Sequence, residues 1–273
     1  MFYEKLSRRR WPDLLFRQLC ERPSLPIDST DTESPALSIV VPMKDESENV
    51  APLIREIEKA LGETLQYEII CIDDGSEDGT LSALKQAKAD CPRLRVLKHE
   101  VCCGQSTATR TGVQAARADW VATLDGDLQN PPSEIAKLIS ARDQASATNL
   151  AMVAGQRLKR EDSLFRKFCS RTANGFRSWA LGDGIRDTGC SLKLFRRDVF
   201  LDLPYFDHMH RFLPALMQRT GGQVMTVDVE HRPRAAGQTK YGLMNRLWTG
   251  IIDLIGVVWL KRRAKRPLIK ELD

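Results

Sequence analysis

Trp120-Val121-Ala122-Thr123-Leu124-Asp125-Gly126-Asp127-Leu128-Gln129-Asn130-Pro131-Pro132 is the stretch on which the reading of the fold turns. An apolar run ends in two carboxylates one residue apart, followed by an amide and a double proline. The run has the length and composition of a buried strand, and the prolines stop it. Carboxylates at the carboxyl end of such a strand sit where open α/β sheets bind ligands. At alternate positions, Asp125 and Asp127 suit a hard divalent cation, because Mg²⁺ typically takes one or two protein carboxylates plus substrate phosphates. The competing reading is a polar turn that caps the following helix, with Asp and Asn in cap and turn positions.

Working outward, residues 37–42 read as a first strand, followed by a helix through Leu53, Ile54, Ile57 and Leu61. Residues 67–72 form a second strand ending at Asp73-Asp74-Gly75-Ser76. A helix around Leu81, Leu84 and Ala87, a short strand at 94–97 and a helix over 106–116 lead into the strand that carries Asp125. Such alternation predicts an α/β protein, a single mostly parallel sheet with helices on both faces. Beyond Gln144 the pattern loosens, with strands expected at 151–154, 190–195 and 224–229 and a long basic helix over 165–179. No internal repeat is present, and no linker splits off a second domain. The organisation expected is an N-terminal extension (1–35), one domain (36–243) and a C-terminal segment (244–273).

With 273 residues, 42% hydrophobic and 28% charged, the chain can bury a substantial core and fits a soluble or peripheral globular protein. The formal charge of +5 is mild, but both ends are basic: Arg8-Arg9-Arg10 near the start, and Lys261-Arg262-Arg263 with Lys265 and Arg266 near the end. Basic ends suit nucleic acid or an anionic membrane. No RNA-binding aromatic signature or zinc-finger spacing supports nucleic acid, so the membrane surface is the expected partner. The cysteine count is seven, and the N-terminus lacks the continuous apolar core of a signal sequence, which implies a reducing cytosol and free thiols. Cys102-Cys103 is the only close pair; adjacent cysteines lack metal-ligand spacing and read as buried or loop thiols.

Phe2, Leu6, Trp11, Leu14, Leu15 and Leu19, interspersed with arginines, permit an amphipathic surface helix or a partly disordered tail, and the stretch from Pro23 to Pro35 reads as a linker. Near the other end, residues 247–260 are strongly apolar but contain Asp253. They fall short of the roughly 20 residues a spanning helix needs. Trp248, Trp259 and the basic cluster suit a helix lying at a membrane interface, with an ordinary buried C-terminal helix as the alternative.

Three acidic sites thus fall at the ends of three successive parallel strands: Asp45-Glu46, Asp73-Asp74 and Asp125/Asp127. Together with Ser38-Ile39-Val40-Val41-Pro42, Asp-Leu-Gln at 127–129 and His231-Arg232-Pro233-Arg234 before Lys240-Tyr241, they resemble glycosyltransferase family 2, a GT-A fold. Within it, the chain is similar to the polyprenyl-phosphate branch, dolichol-phosphate mannose synthase-like and undecaprenyl-phosphate transferases, over residues 37–243. The resemblance implies a nucleotide-sugar donor, Mg²⁺ or Mn²⁺, and a lipid-phosphate acceptor. It assigns Pro42, Asp45, Glu46, Asp73, Asp74 and Gln105 to the donor nucleotide, and Asp125, Asp127 and Gln129 to the metal, with Asp125 also beside the ribose. Arg232, Arg234 and Lys240 become cations closing over the diphosphate; Arg157, Arg166, Ser170 and Arg171 face the acceptor phosphate, which an arginine fork matches in shape. Asp127 and Asp187 are the implied catalytic carboxylates, the latter orienting the acceptor or acting as base.

The reaction implied is in-line attack by the lipid-phosphate oxygen on the anomeric carbon, with inversion. A UDP-sugar and undecaprenyl phosphate are the favoured pair, at the cytoplasmic face of the inner membrane; GDP-mannose, or a glycan acceptor, is the alternative. Three departures stand out. Asp45 occupies a place where the family commonly has Asn, Val101-Cys102-Cys103 replaces a loop that often carries Arg-Asn, and the C-terminal pair of spanning helices is missing. The last implies a peripheral enzyme, a homo-oligomer or one held by a membrane-protein partner. A non-catalytic binding protein would lack the metal ligands, and a nicotinamide enzyme would carry Gly-x-Gly-x-x-Gly after the first strand, which is absent.

Overall fold

Leu37, Ile39, Val40 and Val41 are all sealed from solvent, so consecutive side chains of the first strand are buried on both faces of the sheet. That is the signature of a strand covered by helices on both sides. The computed structural model describes residues 34–62, 65–157, 175, 177–233, 243–265 and 270, with only the backbone of 243–249. The chain divides into two units, Met1–Glu33 and Ser34–Asp273, and the first lies outside the described residues. The amphipathic extension expected there is therefore not among them.

The first half runs β1 (Leu37–Met43), α1 (Ser47–Leu61), β2 (Tyr67–Asp74), α2 (Thr80–Asp90), β3 (Leu94–His99), α3 (Gln105–Ala115) and β4 (Trp120–Thr123). The second half adds α4 (Ile135–Asp143), β5 (Leu150–Arg157), β6 (Lys193–Arg196), α5 (Arg197–Leu201), α6 (Leu213–Arg219), β7 (Gln223–Val229) and α7 (Leu243–Arg262). The seven strands form one sheet in the order β3-β2-β1-β4-β6-β5-β7. All pairs are parallel except those of β6, which runs antiparallel to both β4 and β5. The chain steps outward from β1 to β3, then returns to the other side of β1 as β4. That reversal opens a crevice at the carboxyl ends of β1 and β4, the place where such sheets bind ligands.

Register holds this edge in line. Val40 pairs with Thr123 and Met43 with Asp73, and the Leu124 amide still donates to the Val40 carbonyl at 3.2 Å. Helix α3 lies tightly against the same strands: a Cβ on Gly112 would come within 2.4 Å of Val40 Cγ1, so only glycine fits.

Beyond β4 the outcome differs from expectation in its boundaries. The strand expected at 190–195 starts at Lys193, because Ser191 is turned out of the ladder and tied to other segments. Thr123 Oγ1 donates to its carbonyl at 2.7 Å and Asn130 Nδ2 to its hydroxyl at 2.7 Å. Of the helix expected over 165–179, residues 175 and 177–179 are helical, and the helix continues to 181; residues 158–174 and 176 lie outside the described residues. No helix among the described residues is long and apolar enough to cross a membrane.

One carboxylate sits inside the sheet. Glu68, on β2 and 2% exposed, accepts Ser38 Oγ at 2.7 Å, Arg95 Nη1 at 2.6 Å and the Arg117 backbone amide at 2.7 Å. Burial alone would raise its carboxyl, but these donors outweigh burial and leave it below the ordinary 4.5. Its stabilising contribution is therefore complete above that value and is lost as pH falls through the depressed one. Glu68→Gln is expected to cost about 1–3 kcal/mol near neutrality. In urea unfolding, the gap between variant and native protein should close as the solution is made acidic.

Candidate active site

The three acidic turns meet at one edge of the sheet, but their side chains are engaged differently. After β1, Asp45 takes a left-handed backbone (φ 53°), with its amide donating to Ser76 Oγ at 3.0 Å and its Oδ1 accepting from the Glu77 amide at 2.8 Å. Glu46 accepts Asn49 Nδ2 at 2.5 Å. Asp45 thus clasps the turn after β2, and the Glu46 amide donates to Thr80 Oγ1 at the start of α2, at 2.8 Å. Asp73 is fully buried; its Oδ1 accepts the Ser76 amide at 3.1 Å, while its Oδ2 has no hydrogen-bond partner among the described residues.

Asp74 anchors the loop before α3. It accepts the backbone amides of Cys103 and Gly104, each at 2.8 Å, and its Oδ1 lies 2.7 Å from His99 Nδ1. Burial raises its carboxyl, yet the amides, His99 and the Cys102 thiol together hold it below the usual value. The loop rides directly over Gly75 (φ 66°), where a Cβ would sit 2.7 Å from the Cys102 nitrogen. The nucleotide role assigned to Asp74 is thus joined by a positioning one.

At the β4 end, Asp125 is half-buried and Asp127 is 6% exposed. Burial and the neighbouring Asp127 charge raise the Asp125 carboxyl, with Ser191, Lys193 and Arg157 acting against them. Gln105 Nε2 donates to Asp125 at 2.7 Å. Leu128 adopts φ 60°, a left-handed conformation rare for leucine, and this kink carries the Gln129 amide to 3.2 Å from Asp127 Oδ1. The site's fit to a divalent cation follows from this donor set. Two crowded carboxylates and an amide are hard oxygen donors, and their mutual repulsion is what a bound Mg²⁺ or Mn²⁺ relieves.

The basic segment after β7 is stitched to this turn, since the Arg232 amide donates to the Gln129 carbonyl at 2.8 Å. Its guanidinium pairs with Glu56 on α1 at 2.9 Å. Arg234 and Lys240 lie outside the described residues, as do Arg166, Ser170 and Arg171. Arg157 and Asp187 meet as a bidentate pair, at 2.6 and 2.8 Å.

A cavity of about 440 Å³ opens between Asp125 and the segment Asp207–Arg211, with Pro42, Gln105 and Thr188 also in its wall. Sequence reasoning missed Lys193, His208, His210 and Arg211 among its members. Lys193 is 4% exposed, hydrogen-bonded to the Cys190 carbonyl; burial holds its amine down while the Asp125 charge acts the other way. His210 Nδ1 lies 2.7 Å from Ser106 Oγ, and burial beside Lys193 and Arg211 pushes the imidazole down to about 3. Their pairing partners are about a hundred residues away or on the far side of a turn, so no local spacing announces them. A lysine between Leu192 and Leu194-Phe195 on an apolar strand was the one available signal.

The wall of this cavity reaches the C-terminal helix. His208 lines the cavity, and its Nδ1 lies 3.4 Å from Asp253 Oδ2 on α7. The charge that interrupts the apolar run thus faces inward.

The family model for glycosyl transferase family 2 matches residues 38–203. This chain belongs to glycosyltransferase family 2. Dodecaprenyl-phosphate galacturonate synthase of Rhizobium johnstonii is 34% identical over 249 residues, covering 89% of this chain and 72% of that protein. Undecaprenyl-phosphate 4-deoxy-4-formamido-L-arabinose transferase of Aeromonas hydrophila is 34% identical over 217 residues, covering 79% of this chain but only 65% of its own length. Among solved structures, a mannosyltransferase from Pyrobaculum calidifontis with GDP-Man and Mn²⁺ superposes with a TM-score of 0.62 at 19% identity, over 93% of this chain and 73% of that one. Glucosyl-3-phosphoglycerate synthase from Mycobacterium tuberculosis, with Mn²⁺, UDP and phosphoglyceric acid, gives 0.61 at 15% identity, over 85% and 80%. The family 2 chain therefore has the GT-A fold expected from its sequence.

Two outcomes test this geometry. Asp74→Asn should weaken the loop by about 1–3 kcal/mol, read as faster hydrogen exchange at the Cys103 and Gly104 amides. His210 should show no imidazole titration by NMR near the ordinary 6.5. The unfolded chain takes up that proton below 6.5 and the folded one only near 3, so acid costs stability across that window.

Proposed function

We propose that this protein transfers a sugar from a nucleotide-sugar donor to the phosphate of a polyprenyl lipid, with inversion, at a membrane surface. The observation that carries the reading is the single cavity joining Asp125 to Asp207–Arg211, whose His208 touches the apolar helix α7. A donor held at the carboxylate end and an acceptor arriving from the helix end would meet within it. Both relatives named above carry polyprenyl-phosphate sugar chemistry in their names, which supports the same acceptor class here.

Each group has a role on this reading. Asp125, Asp127 and Gln129 would hold the divalent cation, which neutralises the departing nucleoside diphosphate. Pro42, Asp45, Glu46, Asp73 and Gln105 border the donor, with Asp74 holding the loop that carries Gln105. A phosphate monoester, with a second pKa of about 6, is largely ionised near neutrality and needs little help from a base. Asp187, clamped on Arg157 through both oxygens, accordingly orients rather than removes a proton. Arg157, oriented by Asp187, keeps the acceptor-phosphate role implied by the family, and Lys193 and Arg211 are basic side chains of the cavity wall that would add to it. Arg166, Ser170, Arg234 and Lys240 retain the roles implied by the family. A UDP-sugar is the favoured donor, with GDP-mannose second.

Helix α7 supports attachment at the membrane. Ile251, Ile252, Ile255 and Trp259 are exposed on one side of it, at 42%, 66%, 64% and 58%, while Val257 is fully buried. Lys261, Arg262 and Arg263 follow directly, as suits the anionic cytoplasmic leaflet of an inner membrane. A glycan acceptor would require neither feature.

Incubation with Mn²⁺, undecaprenyl phosphate and a panel of labelled nucleotide sugars should yield a lipid-extractable labelled product. Failure with every donor would remove the reading. Asp127→Ala should cut that product about 100-fold or more, since several kcal/mol of charge stabilisation are lost. Replacing Ile252 and Ile255 together by Glu should abolish cosedimentation with anionic vesicles while leaving the fold intact by circular dichroism. Equal sedimentation of both proteins would show that α7 is not the attachment face.

A further inference from the structure

The end of β3 and the loop after it bring ligating groups without a role in the transferase chemistry, His99, Cys102 and Cys103, to the Asp74 carboxylate. His99 closes β3, and its Nε2 lies 3.0 Å from Thr111 Oγ1 on α3. One ligand atom each from Asp74, His99 and Cys103 lie within 4.8 Å of one another. The Cys102 thiol donates to Asp74 Oδ2 at 3.3 Å, which brings a second sulfur to the same carboxylate. Both cysteines are free and exposed.

We propose that Asp74, His99 and Cys103, with Cys102 as fourth donor, form a site for a borderline-soft divalent cation of the Zn²⁺ class, distinct from the hard-oxygen site at Asp125 and Asp127. The donor set carries the assignment. Thiolate, imidazole and carboxylate together match zinc, whereas Mg²⁺ takes oxygen. In a tetrahedral zinc site neighbouring ligand atoms stand about 3.3–3.8 Å apart, so the 4.8 Å cluster needs only side-chain adjustment to close.

The surroundings are those of a supported site. Thr111 partners the imidazole nitrogen that would not bind the cation, which fixes the ring plane. The Cys103 and Gly104 amides hold one oxygen of the carboxylate each, at 2.8 Å. Gly75 lets the loop lie directly on the strand end, which is what brings both sulfurs to Asp74. Proton accounting is simple. The imidazole binds through Nδ1 as the neutral tautomer, its proton on Nε2 toward Thr111, and only the protons of the ligating thiols leave to solvent.

Adjacency had argued against Cys102-Cys103 as ligands, since a local spacing rule looks for partners nearby in sequence. The fold supplies them from β2 and β3 instead. The consequence is a cross-link between two strand ends and the loop whose next residues, Gly104 and Gln105, line the crevice.

The test uses the full-length, reduced protein in excess Mg²⁺, titrated with Co²⁺ and followed by absorption. The expected result is a sulfur-to-cobalt charge-transfer band with tetrahedral d–d bands, saturating at one cation per chain and removed by Zn²⁺. Cys103→Ser and His99→Gln, tested separately with circular dichroism to verify folding, should each abolish the band; Cys20→Ser and Cys169→Ser should keep it. Absence of the band in the native protein, or its survival in both Cys103→Ser and His99→Gln, would overturn the assignment. The absorption readout is independent of glycosyl transfer, so its failure leaves the transferase reading untouched.

Discussion

Burial of β1 and β2 on both faces is the constraint from which the rest of this structure follows. A strand sealed by helices on each side tolerates a carboxylate only where the ladder ends or where donors fully satisfy it. Glu68 is the satisfied exception, held by Ser38, Arg95 and Arg117. Every other acid of the central strands is displaced to the carboxyl edge, and parallel pairing gathers those edges on one side. The acidic crevice is therefore a product of the same exclusion that builds the core.

The first half of the chain was legible because its apolar runs are continuous and its turns carry Asp, Gly and Pro at each strand end. The reversal between β1 and β4 follows from those elements once parallel pairing is assumed. Past β4 the local signal fades for a physical reason. β6 is four residues long and antiparallel, and Ser191 beside it is held by side chains from Thr123 and Asn130 rather than by a ladder. Such ties link residues more than sixty positions apart, and no window of sequence contains them.

The site divides along the same line. Asp125, Asp127 and Gln129 were visible as a pattern, but the left-handed turn at Leu128 that arranges them was not, because leucine gives no hint of positive φ. Asp74 was correctly placed at the strand end, yet its carboxylate is largely committed to holding a loop. Lys193 and His210 stayed hidden since each is defined by burial, a property that emerges only when separate elements close over it. The cavity consequently sets Asp125 from the first half of the fold against basic side chains, Lys193 and Arg211, from the second.

Asp253 gives α7 a fixed phase. A helix whose apolar residues merely avoided water could roll about its long axis with little penalty. Here an inward carboxylate meets His208, while Arg219 Nε and Lys261 Nζ grasp the Leu260 and Leu181 carbonyls at its far end. The roll angle is locked, so the direction of the isoleucine stripe and the bearing of the crevice mouth are one quantity. The helix behaves as a keyed shaft: whatever surface receives the stripe also sets the angle at which the catalytic opening is presented.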